Sequence, residues 1–270
     1  MEDVKLFRLK EVIGRFQKAV VAFSGGVDSS LVLAVSAEQL GRSNVVAVTG
    51  SSETYTRAEL ERARQTADAL GVEHVVLETA ELSDPKFISN DERRCYHCKR
   101  AFYRRLSSFA RSRGITAMFD GTNLDDGKDY RPGKEAAVEF GVVSPLAEAG
   151  FGKEEVRREL RKRGFDFWNK PSSPCLASRI PYGSPITKDK LAAVEACEAF
   201  LAEQGFFGAR VRHHGGVARI EVPPSEIERI ARAEVRSKIV ERFKETGFRW
   251  IAVDLEGYRT GSLNEALGDP

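Results

Sequence analysis

Four cysteines are spread over 270 residues, and two of them, Cys95 and Cys98, stand three positions apart in the run RCYHCKR. A C-x-x-C pair can hold a metal, cycle between dithiol and disulfide, or be chemically idle. His97, between the two thiols, or the distant His213 could complete a tetrahedral zinc site. A third cysteine, Cys175, lies in KPSSPCLASRIPYG, whose prolines pre-set the backbone around it. Arg179 is four positions on, and a cation beside a thiol favours the nucleophilic thiolate. The plainer reading is a small buried loop cysteine. Cys197 falls in phase with Leu191, Val194 and Leu201 and reads as part of a helical core face.

A second chemical stretch is SGGVDSS, residues 24–30. Gly25 and Gly26 permit backbone conformations that bulky residues resist, and N–H groups at such a turn and the following helix start can surround phosphate oxygens. Ser24, Ser29 and Ser30 add hydroxyl donors. Asp28 would be repelled by phosphate unless a cation lies between them, which points to Mg²⁺. The chain has no GxxxxGK[ST], so this is not the common γ-phosphate loop. In DGTNLDD, Gly121 and Asn123 are assigned to the same nucleotide site, and Asp126 joins Asp28 as a candidate Mg²⁺ ligand. An Asn/Asp turn is the alternative for this run. Arg210 and Arg212 alternate along an expected strand, so both face one side and suit a phosphate or carboxylate. His213 and His214, being adjacent on that strand, point to opposite faces.

These residues need elements to position them. AVVAFSGG, NVVAVTG, EHVVLET and ITAMFDG read as buried strands, with helices between them over VKLFRLKEVIGRFQ, SSLVLAVSAEQLG, TRAELERARQTADALG and about Lys99 to Arg113. Alternating strands and helices predict an α/β fold with a doubly wound parallel sheet. Prolines at 171, 174, 181 and 185 predict a long loop over 166–186. Beyond it come a helix capped by Thr187, a hairpin turning at Gly215 and Gly216, a helix over about Val235 to Thr246 and a closing strand, together a small α+β unit. The expected domains are 1–170 for nucleotide binding, 171–186 as the loop carrying Cys175, and 187–270 as the smaller unit. Charged residues make up 30% of the chain, but they nearly cancel to +2, so no bulk nucleic-acid footprint is expected. The charged N-terminal stretch and the lack of an apolar run near about 20 residues predict a soluble, cytoplasmic protein without membrane contact.

SGGVDS after the first strand resembles the pyrophosphate loop of the PP-loop ATPases, which cleave ATP between the α and β phosphates and attach AMP to a substrate oxygen. Together with DGTNLDD, DYRPG, KPSSPCLASRIPYG, RVRHHGGVARIEV and DLEGYRTGSLN, in order along nearly the whole chain, it resembles the LarE family. That resemblance implies an ATP-dependent sulfur transferase acting on pyridinium-3,5-dicarboxylate mononucleotide, in synthesis of the nickel-pincer nucleotide of lactate racemase. It implies adenylation of a carboxylate, covalent attachment through sulfur, and release of a thiocarboxylate. In some members a cysteine matching Cys175 gives up its sulfur and becomes dehydroalanine. In others three cysteines hold a [4Fe-4S] cluster. Cys95, Cys98 and Cys175 match the three-cysteine type, with one iron left open for sulfide. Arg179, Arg210 and Arg212 are then expected to hold the anionic substrate, and the family implies a homo-oligomer. The competing readings are a PP-loop tRNA thiolase, an ammonia-using synthetase with incidental cysteines, and a nucleotide-binding sensor without catalysis.

Overall fold

A computed structural model of the chain describes residues 4–128, 132–169, 175–259 and 262–263. In chain order the elements are α1 (Val4–Gly14), β1 (Ala19–Ala22), α2 (Val27–Leu40), β2 (Val45–Ser51), α3 (Arg57–Leu70), β3 (Glu73–Glu78), α4 (Pro85–Ile88), α5 (Arg94–Ser112), β4 (Ala117–Phe119), α6 (Gly133–Glu139), α7 (Pro145–Glu148), α8 (Lys153–Lys162), α9 (Lys188–Glu203), β5 (Arg210–His214), β6 (Val217–Glu221), α10 (Ile227–Ala231), α11 (Ala233–Glu245) and β7 (Trp250–Val253). They divide into two units, Met1–Glu81 with Arg93–Ser173, and Leu82–Glu92 with Pro174–Pro270.

The first unit is the expected α/β sheet. Four parallel strands run in the order β3-β2-β1-β4. Strand residues alternate between two cores. Ala19, Val21 and Ala47 pack with Leu31 and Val35 of α2 and Leu160 of α8, whereas Val20, Val46 and Val48 pack with Phe102 and Leu106 of α5 and Ala136 of α6. Both faces are therefore covered, which is why these strands read as unbroken apolar runs. Each Val or Leu buried this way contributes about 1.5–3 kcal/mol. The helix ends follow local chemistry. The Thr56 side chain accepts from the Glu59 N–H to start α3, and Gly71 at φ 64° ends it.

The chain passes from β1 outward to β2 and β3, then returns to place β4 on the other side of β1. That reversal opens a crevice at the carboxyl ends of β1 and β4, the usual ligand position of such sheets. The crevice is tight: a Cβ on Gly121, just past β4, would lie 2.7 Å from the Ser29 backbone nitrogen in α2.

In the second unit β5 and β6 form an antiparallel hairpin through Gly215 and Gly216, with β7 added parallel to β6. One sheet face packs on α9 and α11, and Cys197 is wholly buried in that core with Leu201, Ile220 and Phe243. Among the described residues no helix is long and apolar enough to cross a membrane.

Three features differ from the sequence reading. Helix α5 starts at Arg94, not near Lys99, because partners on α6 hold its first turns: Arg93 pairs with Glu135 at 2.6 Å, the Tyr96 hydroxyl donates to Glu139 at 3.0 Å, and Arg100 pairs with Glu139 at 2.9 Å. The expected loop contains a short 3₁₀ turn, Leu176–Arg179, while Lys170 to Pro174 lie outside the described residues, as do Asp129 to Arg131 of DYRPG. Finally, residues 82–92 leave the first unit and pack in the second. Asn90 is the fastener. Its backbone takes φ 57°, a conformation asparagine tolerates better than most residues. Its buried amide donates to the carbonyls of Ile180 at 3.3 Å, Pro181 at 2.8 Å and Ser184 at 2.9 Å.

Asn90→Ala would leave those carbonyls without that donor. It is expected to cost about 1–3 kcal/mol, read as a lower urea midpoint. An unchanged midpoint would show that the fastener contributes nothing.

Candidate active site

The glycine loop leaves β1 and enters α2 within a few residues. Gly25 has φ 64°, and a Cβ there would lie 3.1 Å from Ala63 of α3. The hydroxyls of Ser24 and Ser29 meet at 3.2 Å, the Ser24 N–H donates to Ser29 Oγ at 3.3 Å, and Ser29 Oγ donates to the Gly26 carbonyl at 3.2 Å. These hydroxyls hold the loop's shape. The Ser30 N–H is already inside the helix, bonded to the Gly26 carbonyl at 3.0 Å. The N–H groups of the helix start ahead of it have no intrahelical acceptor, which is the arrangement that receives phosphate oxygens. The Ser30 side chain is wholly buried, and its Oγ has no hydrogen-bond partner among the described residues.

Behind the loop, the Thr49 hydroxyl donates to the Phe23 carbonyl at 2.7 Å and is itself met by His74 Nε2 at 2.8 Å. Burial lowers the His74 pKa, which favours the neutral ring. Tyr55 donates to the Ser24 carbonyl at 2.6 Å, and burial raises its phenol pKa, so the donor proton is retained. Sequence reading did not single out Tyr55; its place after β2 is the only local signal.

The acidic run after β4 separates into two roles. Asp120 accepts from the Thr122 N–H at 3.0 Å, the Thr122 hydroxyl at 2.8 Å, the Ser144 hydroxyl at 2.8 Å and the Tyr103 hydroxyl at 3.3 Å. Burial pushes the Tyr103 pKa up to about 12, keeping it a donor. A carboxylate so fully engaged is a brace. Asn123 faces the glycine loop: its Nδ2 donates to Asp28 Oδ1 at 3.2 Å, its N–H donates to Asp126 Oδ2 at 3.0 Å, and its Oδ1 accepts from the Asp125 N–H at 2.9 Å. It thus joins the two candidate Mg²⁺ ligands. Two lysines missed by the sequence reading complete this cluster. Lys153, the first residue of α8, pairs with Asp28 Oδ2, and Lys134 donates to the Asp126 carbonyl. Hard carboxylate oxygens fit Mg²⁺, which takes few protein ligands and fills its octahedron with phosphates and water.

Cys95 and Cys98 sit one turn apart at the start of α5, on one side of the helix. Cys95 is exposed and Cys98 half-buried. The Cys98 thiol donates to Glu81 Oε1 at 3.6 Å, and Glu81, nearly buried, has no hydrogen-bond partner on Oε2 among the described residues.

The second unit gathers the remaining expected residues. Cys175 heads the 3₁₀ turn, and its carbonyl accepts from the Ser178 N–H at 2.9 Å and from Arg179 at 3.5 Å. Arg179, only 2% exposed, also grips both oxygens of Glu198 at 2.8 and 3.0 Å. Arg212 does the same to Glu221 at 3.0 and 2.6 Å and donates to the Ser178 carbonyl at 2.9 Å. Arg210 donates to the Ala209 carbonyl at 3.0 Å and lies over the Tyr258 ring at 5.4 Å. Burial and then the Arg179 charge lower the Arg210 pKa. Three guanidinium groups and two carboxylates leave a net positive cluster around the Cys175 turn, in which Arg179 and Arg212 pin the turn through its main chain. Cys95 and Cys98 belong to the first unit and Cys175 to the second. Among the described residues no three His, Cys, Asp or Glu side chains are gathered into a metal-holding group.

The asparagine synthase family matches residues 15–123, from the end of α1 through Asn123. An uncharacterized protein of Synechocystis is 41% identical over 99% of both chains. The pyridinium-3,5-bisthiocarboxylic acid mononucleotide synthase of Lactiplantibacillus plantarum is 39% identical over 93% of this chain and 90% of its own. The chain belongs to the LarE family. An NH(3)-dependent NAD(+) synthetase of Methanococcoides burtonii is 41% identical, but over only 22% of this chain. This LarE-family protein is an ATP-dependent enzyme built on the PP-loop fold.

The cysteines should differ in reactivity. Burial pushes the Cys197 thiol up to about 11, so it stays protonated at neutral pH. Iodoacetamide on native protein at pH 8 is expected to label Cys95 first and to spare Cys197 until denaturant is added. Peptide mass spectrometry checks this, and early labelling of Cys197 would contradict the burial.

Proposed function

We propose that this enzyme uses ATP to activate a carboxylate of pyridinium-3,5-dicarboxylate mononucleotide and replaces the activated oxygen with sulfur, giving a thiocarboxylate. Two observations carry the reading: the first unit has a hydroxyl-braced glycine loop bearing Asp28, and the second has a cation-pinned turn bearing Cys175. Likeness along 93% of the chain to a protein named for bisthiocarboxylic acid mononucleotide synthesis supports it.

In this reading the helix-start N–H groups at Gly26 to Asp28 receive the ATP phosphates, with Gly121 and Asn123 lining the same crevice. Asp28 and Asp126 would hold Mg²⁺, which offsets phosphate charge when bound. A substrate carboxylate oxygen attacks the α-phosphorus; pyrophosphate leaves and an acyl-adenylate forms. The Cys175 thiolate then adds to the acyl carbon, and AMP departs with the oxygen. Cleavage of the Cys175 Cβ–S bond, with loss of the α-proton, leaves sulfur on the product and dehydroalanine in the chain. Arg210 supplies positive charge for the substrate's phosphate or free carboxylate, while Arg179 and Arg212 keep the turn in place.

Thiolates are the right donors for iron. Cys95, Cys98 and Cys175 would hold a [4Fe-4S] cluster, which when bound carries the sulfide that spares Cys175. The family implies assembly as a homo-oligomer.

Incubation with ATP, Mg²⁺ and the mononucleotide should release pyrophosphate only when the mononucleotide is present. Cys175→Ala should keep that release and lose at least 100-fold in thiocarboxylate, followed by mass spectrometry. Undiminished turnover in Cys175→Ala with ammonia as nucleophile would instead place the protein with the ammonia-using synthetases.

A further inference from the structure

We infer that Lys153 is the resident counter-ion of Asp28, and that a divalent cation reaches this carboxylate only by displacing it. The inference deepens the proposed function and rests on its assignment of Asp28 to Mg²⁺.

Asp28 lies in the first turn of α2, where the helix dipole favours a negative charge. Both of its oxygens are engaged, Oδ1 by Asn123 and Oδ2 by the Lys153 ammonium. The pair is three-quarters shielded, with side-chain exposures of 23% for Asp28 and 24% for Lys153, so the attraction is less screened than at an open surface. Nothing in the local sequence brings these residues together; they are 125 positions apart.

The base of Lys153 is fixed independently of the pair. Its N–H donates to Asp125 Oδ2 at 2.8 Å, and the preceding Gly152 N–H donates to Glu155 Oε2 at 2.7 Å. A Cβ on Gly152 would lie 2.9 Å from that same Asp125 oxygen, so the helix start is seated closely. Only the flexible stem has to swing for Asp28 to change partners.

The charges dictate the order of events. A divalent cation on Asp28 would stand beside the Lys153 ammonium, with Lys134 also directed at Asp126. Cation alone is therefore opposed. An incoming triphosphate removes the opposition, because its oxygens give the released ammonium a new partner. Metal and nucleotide binding become linked, each favouring the other.

The test is Mn²⁺ binding followed by electron paramagnetic resonance, without nucleotide and then with a non-hydrolysable ATP analogue. Wild-type protein should bind Mn²⁺ weakly alone and at least tenfold more tightly with the analogue. Lys153→Met, and Lys153→Gln as a second variant should the first fold poorly, should bind Mn²⁺ alone at least tenfold more tightly than wild type. Adding Asp28→Asn should erase that gain. If neither Lys153 variant gains affinity, while Asp28→Asn weakens the Mn²⁺–analogue complex, the competition is absent and the inference falls alone. If Asp28→Asn leaves that complex unchanged, Asp28 is not the metal group, and the metal assignment falls with it.

Discussion

The first unit depends on a close approach of two backbones, Gly121 beyond β4 and Ser29 in the first turn of α2. A methyl group at position 121 would press to within 2.7 Å of a main-chain nitrogen. Neither partner is a flexible side chain that could yield. The strand order requires the encounter, since β4 lies beside β1 and both chains leave the sheet at the same edge. Because the two loops meet there, Asn123 can reach Asp28 on one side and Asp126 on the other. A larger residue at 121 would push the acidic run outward and open that link.

A second theme is that charge in both units is mutually engaged. Asp28 has Lys153, Arg179 has Glu198, and Arg212 has Glu221. The Arg179–Glu198 and Arg212–Glu221 pairs are largely buried, and such pairs add little net stability against apolar residues of the same shape, because desolvation offsets most of the attraction. Losing one partner is costly, however, since the other is left buried and charged. Their value here is placement. Arg179 and Arg212 reach the carbonyls of Cys175 and Ser178, so the cysteine turn is located by two side chains that are themselves anchored. In the proposed reaction, where the Cys175 thiolate adds to an acyl carbon, such support serves better than a mobile loop would.

The first unit was largely legible because its signals are local. Apolar runs, the Thr56 and Gly71 helix ends and the glycine loop each lie within a few residues of the structure they specify. The two-glycine hairpin and the core position of Cys197 were legible for the same reason. The pairing of Lys153 with Asp28 was not, because topology alone brings them together. Arg179 signalled a cation near Cys175, but nothing in the sequence singled out Glu198, which engages it. The segment 82–92 carried no such signal; no local feature reveals that Asn90 bonds with partners about ninety positions later.

That detour has an architectural consequence. Residues 82–92 belong to the second unit while lying between β3 and α5 of the first. The chain is therefore not modular in the ordinary sense. A fragment ending before Pro174 would retain the Asn90 segment and discard the carbonyls that receive its amide. Recombination that exchanged only the C-terminal portion would have to preserve that seat, so the two halves are bound to a shared evolutionary history more tightly than a single linker would demand.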